Sequence, residues 1–132
     1  MIAELLIATS IIGAVTGPVS VVDGDSLYVD GVHIRLQGLD APEMPTKAGI
    51  KAKDAMQKLV KGQNISCELT GDVSYDRKIA TCYLNGVDLT GIMIRLGMGR
   101  PYCRFVGERY NEDAQIGGVR GCTRNHPTRP TR

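Results

Sequence analysis

The chain has 132 residues, 42% of them hydrophobic, which is enough to bury one core, so a single domain is expected. Aromatic residues make up only 5%, Trp is absent, and 16 glycines point to a turn-rich β protein. The net charge of +2 is too small to mark a nucleic-acid protein by itself.

The N-terminal apolar run, residues 5–15, has the length of an export-signal core and is too short to span a membrane. Met1-Ile2-Ala3-Glu4 lacks a basic start, and Gly13-Ala14 is a mediocre cleavage site. Residues 1–16 are therefore read as an apolar leader or signal remnant, with a packed N-terminal segment as the alternative. Residues 17–122 form the expected domain, and residues 123–132, rich in Pro, Thr and Arg, are expected to be a disordered tail.

Leu27, Val29, Val32, Ile34 and Leu36 alternate around Asp30-Gly31, the sequence of a hairpin with a type I′ turn. Centring the turn there places Val29 opposite Val32, Leu27 opposite Ile34 and Asp25 opposite Leu36. His33 is expected on the strand surface. Next, Ala52, Ala55, Met56, Leu59 and Val60 recur at helical spacing, with Thr46 as the cap and Gly62 as the stop.

Cys67 and Cys82 lie in two alternating segments, Asn64–Leu69 and Ile79–Leu84, which a Gly71–Arg77 loop would join as an antiparallel pair. Both cysteines sit at the apolar phase, so the expected disulfides are Cys67–Cys82 and Cys103–Cys122, the second tying a C-terminal arm to the domain. No Cys-x-x-Cys pair suggests zinc. An even cysteine count beside an apolar leader favours an oxidising, extracellular or periplasmic location over four free thiols. A second helix is expected over Leu89–Leu96, with Leu89, Ile92, Met93 and Leu96 as its apolar stripe. Beyond Cys103 the chain is Gly-rich and polar. Its charge is lopsided: residues 1–98 carry nine basic and eleven acidic residues, a net of −2, whereas residues 99–132 carry seven arginines against three acids, a net of +4. That segment suits a polyanion, or is simply a solvated tail.

The chemistry concentrates in two acidic turns. Asp23-Gly24-Asp25-Ser26 and Asp40-Ala41-Pro42-Glu43 supply carboxylates at Asp25, Asp40 and Glu43, and Arg35 lies on the strand between them. Carboxylates at loop ends suit a hard cation such as calcium. An arginine beside them suits a phosphate, gripped through two parallel hydrogen bonds. Together they point to phosphodiester cleavage. One conflict is built in: strict alternation puts Asp25 and Arg35 on opposite faces, so a bulge or local twist must bring them together. Asp23 is expected only to close its turn.

The blocks Val22-Asp23-Gly24-Asp25-Ser26, Ile34-Arg35-Leu36, Gly38-Leu39-Asp40-Ala41-Pro42-Glu43 and Tyr75-Asp76-Arg77 resemble the staphylococcal nuclease (thermonuclease) family over residues 19–102. The resemblance implies a mainly β fold with helices, a five-stranded OB-type barrel, and calcium-dependent cleavage of DNA or RNA leaving 3′-phosphate ends. It further implies Asp25 and Asp40 as metal ligands, with the Ala41 backbone carbonyl as a third. Glu43 would orient or deprotonate the attacking water, and Arg35 and Arg77 would hold the phosphate and its developing charge. Tyr75 and Tyr102 are candidates for stacking on a base, or for packing. Two positions depart from the family: Ser26 stands where Thr is usual, and Asp76 where Gly is usual, an acid that would weaken the grip of Arg77. A monomer acting on nucleic acid is expected. The competing reading is an OB-type module that binds single strands without cutting them.

Overall fold

The computed structural model describes residues 13–124. Among these described residues, eight strands and four helices follow in chain order: β1 (Ala14–Asp23), β2 (Ser26–Val29), β3 (Val32–Leu36), β4 (Leu39–Asp40), α1 (Lys47–Val60), β5 (Asn64–Ser74), β6 (Arg77–Leu84), β7 (Val87–Asp88), α2 (Leu89–Arg95), β8 (Arg100–Pro101), α3 (Cys103–Val106) and α4 (Asn111–Gly117).

The hairpin forms as its turn chemistry requires. Asp30 and Gly31 both take positive φ, 49° and 79°, and Leu27 pairs with Ile34 and Val29 with Val32. Strands run in the order β3-β2-β1-β5-β6, and β3 returns to pair parallel with β6, Ile34 opposite Lys78 and Leu36 opposite Ala80. That pairing closes a barrel of five strands, as the family resemblance implied, and leaves no open edge among them. Its interior holds Leu27, Val29, Ile34, Leu36, Ile65 and Ala80, all essentially inaccessible. Each large apolar side chain buried this way contributes about 1.5–3 kcal/mol. Among the described residues no helix is long and apolar enough to cross a membrane.

Helix α1 starts where its cap predicts. The Thr46 hydroxyl accepts from the Gly49 amide at 3.0 Å, and the buried stripe is Ala52, Met56 and Val60, packed against β1. Cys67 and Cys82 are direct cross-strand partners on β5 and β6 and are bonded, as are Cys103 and Cys122.

Four features of the structure differ from the sequence expectations or add to them. Strand β1 begins at Ala14, inside the segment read as a leader, because residues 14–18 complete the barrel by pairing with residues 64–68 of β5; residues 1–12 of that leader lie outside the described residues. The Gly71–Arg77 loop is mostly strand: β5 runs on to Ser74 through an irregularity between Leu69 and Val73, and only Tyr75 and Asp76 make the turn. The buried stripe of α2 uses Ile94 rather than Leu96, which is 51% exposed, because the helix ends at Arg95 and a left-handed Gly97 turns the chain away. From Cys103 on, two short helices form, and Ala114 of α4 and Tyr110 just before it are buried in the core. Of the expected tail, residues 125–132 lie outside the described residues.

Candidate active site

The conflict between Asp25 and Arg35 is resolved at the end of the hairpin. Strand β2 begins only at Ser26, so Asp25 sits in the two-residue turn with Gly24, free of strand alternation. The β1–β2 register also slips between Val21 and Asp23, which bends the strand end. Arg35 pairs laterally with Ser26, and its guanidinium reaches the Asp25 carboxylate at 3.5 Å, with both side chains largely enclosed. The other arginine nitrogen donates to its neighbour's carbonyl, Leu36 O, at 2.8 Å, which fixes the fork's direction.

The second acidic turn docks onto the first. The Ala41 amide donates to Asp25 Oδ2 at 3.2 Å. Gly24 makes that approach possible: a Cβ there would lie 2.9 Å from both Ala41 Cβ and Ala52 Cβ. Asp40 lies on β4, opposite Arg100 of β8, and the two side chains approach to 3.5 Å. Glu43 is exposed, and its backbone is held by α1. Thr46 donates both its amide, at 3.2 Å, and its hydroxyl, at 2.5 Å, to the Glu43 carbonyl. Gly49 faces the same carbonyl at a distance that no Cβ tolerates.

Asp23, expected only to close its turn, also bears on Asp25: its carboxyl is among the groups that raise the Asp25 carboxyl, and its Oδ1 is buried without a hydrogen-bond partner among the described residues. Burial is the main cause that pushes the Asp25 carboxyl up to about 6, opposed by Arg35 and the Ala41 amide and reinforced by Asp23. Buried acid oxygens with one lone pair unmet are the donor chemistry of a hard cation site. Among the described residues, no three His, Cys, Asp or Glu side chains form a ready-made metal cage. Asp25 and Asp23 are adjacent, while Asp40 is engaged by Arg100. The carboxylate oxygens are donors of the kind a hard cation takes, and among the described residues they are not gathered into a preformed cage.

Arg77 approaches from elsewhere. It opens β6, and its guanidinium is steadied by the Ser74 carbonyl at 3.4 Å and the Ser74 hydroxyl at 3.1 Å across the turn. Among the described residues it makes no ion pair, and none joins it to Asp76. Arg35 and Arg77 line one cavity of about 200 Å³, whose wall also includes Gly38, Tyr75, Tyr102 and Phe105. Tyr75 stands 94% exposed at the rim in the left-handed conformation, φ 59°. Tyr102 packs its ring on Phe105 with centroids 4.8 Å apart. Asp25 meets this cavity through Arg35, whereas Asp40 and Ala41 line a neighbouring one with Gly99 and Arg100, and Glu43 lines neither. His33 is half-buried, its ring stacked on Tyr28 and its Nε2 3.0 Å from Ser26 Oγ.

Known proteins match over the same region. The family model for staphylococcal nuclease homologues matches residues 33–121, about two thirds of the chain. An uncharacterised endonuclease of Haemophilus influenzae is 27% identical over 122 residues, covering 86% of this chain and 68% of that protein. An uncharacterised endonuclease of Escherichia coli O157:H7 is 32% identical over 100 residues, 72% of this chain and 62% of that protein. A probable staphylococcal-like nuclease of Oryza sativa subsp. japonica is 29% identical over 82 residues, 62% of this chain but only 25% of the plant protein.

Proposed function

The chain belongs to the staphylococcal nuclease family, and from that premise we propose that it is a calcium-dependent nuclease that hydrolyses phosphodiester bonds of DNA or RNA and leaves 3′-phosphate ends. The observation that carries this reading is the convergence of Arg35 and Arg77, from a strand and a distant turn, on one cavity rimmed by two tyrosines. The relatives named as nucleases support the reaction class.

A phosphate in the cavity meets two guanidinium forks. Each can make paired hydrogen bonds that strengthen as negative charge builds on the phosphoryl oxygens. Tyr75 and Tyr102 supply π-faces for an unpaired base, a contact tolerant of sequence. Asp25 and Asp40 would hold calcium, with the Ala41 carbonyl as a third ligand; when bound, the ion neutralises phosphate charge and orients the phosphoryl group. Glu43, exposed and tethered through its backbone to Thr46, orients and deprotonates water. The water oxygen bonds to phosphorus, the bond to the 5′-oxygen breaks, and that oxygen leaves with a proton as the phosphate stays on the 3′ side. The same reading places the enzyme, acting as a monomer, in an extracellular or periplasmic space, where its two disulfides persist.

The test is an assay on denatured DNA with calcium and with chelator. Cleavage that requires calcium and yields 3′-phosphate ends is the expected result. Tight, calcium-independent binding of single strands with no cleavage would overturn it in favour of the binding module.

A further inference from the structure

A second cavity, of about 400 Å³, opens beside the first, and Tyr102 is a wall of both. Three arginines face it from three separate segments: Arg100 on β8, Arg104 on α3 and Arg120 on the arm that follows α4. The one carboxylate in its lining, Asp40, is already engaged by Arg100. Among the described residues Arg104 and Arg120 are paired with no acid, and both are exposed. The cavity therefore carries uncompensated positive charge next to the phosphate-binding arginines.

The arm that supplies Arg120 is braced. Cys122 is bonded to Cys103, and Asn111 of α4 clamps its backbone from both sides: Asn111 Nδ2 donates to the Cys122 carbonyl at 2.8 Å, and the Cys122 amide donates to Asn111 Oδ1 at 2.7 Å. Gly121 lets the arm come this close, since a Cβ there would lie 2.8 Å from Asn111 Oδ1. A solvated basic tail needs no such bracing. A wall whose charges must hold a fixed spacing does, because ordering two long side chains on a mobile arm would cost entropy at each encounter.

We propose that this groove is an auxiliary subsite for the backbone phosphates of a single-stranded polynucleotide, contacted through Arg104 and Arg120. The proposal rests on the nuclease reading for the strand's placement: with one phosphate between Arg35 and Arg77 and a base against Tyr102, the chain's neighbouring phosphates pass into the second cavity. Guanidinium groups suit that task because each fork can take two oxygens of one phosphate. The subsite favours long strands over short ones and makes binding more salt-dependent.

The experiment is fluorescence anisotropy in chelator, so that no cleavage intervenes, with a labelled long single-stranded oligonucleotide and a labelled dinucleotide. Each phosphate contact on a single strand contributes about 0.7 to the slope of log affinity against log salt, so Arg104→Gln with Arg120→Gln is expected to flatten that slope by about 1.4. Affinity for the long strand should fall roughly tenfold at low salt, with dinucleotide binding retained. Arg104→Lys with Arg120→Lys, which keeps both charges, should restore the slope. An unchanged slope, or equal losses for both ligands, overturns the subsite. If the glutamine pair loses long-strand affinity while the unmutated protein cleaves nothing, the nuclease reading fails and the subsite stands. If the unmutated protein cleaves and the pair binds long strands normally, the subsite alone fails.

Discussion

At the scale of single residues, the proposed chemistry separates groups that hold from groups that react. Glu43 is exposed and, among the described residues, anchored through its backbone, so Glu43→Gln is expected to leave the fold and strand binding intact while turnover drops at least about 100-fold, the usual share of a positioned base. Binding in chelator and single-turnover cleavage measure the two effects separately; equal turnover would remove Glu43 from the chemistry. The two arginines are not equivalent. Arg35 is spoken for by Asp25, whereas among the described residues Arg77 is steadied by Ser74 and makes no ion pair with Asp76. Arg77→Lys is therefore expected to change the unfolding free energy little, by less than about 0.5 kcal/mol, because the side chain supports no buried pair. It should still slow cleavage, since lysine loses the paired contact. Urea titration and kcat together check this, and full activity in the lysine variant would show that Arg77 is no clamp.

At the scale of elements, the two acidic turns are placed by close contacts to α1. Gly49 faces the Glu43 carbonyl so tightly that Gly49→Ala must push the loop and helix apart, at a cost of about 1–3 kcal/mol, and should lower kcat with it. A stability loss without a rate loss would mean that the Glu43 loop is not set by this contact. Asp88 caps α2 by accepting from the Thr90 amide at 3.0 Å, and the buried Tyr110 hydroxyl donates to the same carboxylate at 2.6 Å. Burial first, and this bond second, push the Tyr110 phenol far above its usual range, so it remains a neutral donor throughout ordinary pH. Tyr110→Phe is expected to cost about 1.5–3 kcal/mol, because it strips a hydrogen bond from a charged, partly enclosed acceptor. Denaturant titration reads that loss, and activity on short substrates should follow stability alone.

At the scale of the whole molecule, two disulfides tie distant parts of the chain. Cys67 and Cys82 are 15 residues apart on adjacent strands, and both are fully buried. In the chain-entropy model such a closure is worth about 3 kcal/mol, so Cys67→Ala with Cys82→Ala is expected to lower unfolding free energy by about that amount. Cys103 and Cys122 instead hold the arm beside the arginine groove. Their replacement should weaken long-strand binding as well as stability, which comparison of the two double variants by urea titration and anisotropy would separate.

Local chemistry alone made much of this protein legible. Asp30-Gly31 determined a turn and thereby the register of β2 on β3. Thr46 and the Ala52–Met56–Val60 stripe determined α1, and the apolar phase of two strands determined the Cys67–Cys82 partnership. These are short-range matters of turn dihedrals, capping and periodicity, and they read directly from neighbouring residues. The rest waited on pairings far apart in sequence. Parallel closure of β3 on β6 brings Arg77 to the cavity of Arg35, and β4 on β8 sets Arg100 against Asp40. Asp23 gained its place beside Asp25 only through the slip in β1, and the polar run after Cys103 became helical because its sparse apolar residues, Tyr110 and Ala114, found a core to bury in. Short segments of weak propensity take their structure from tertiary burial, which no window of sequence contains.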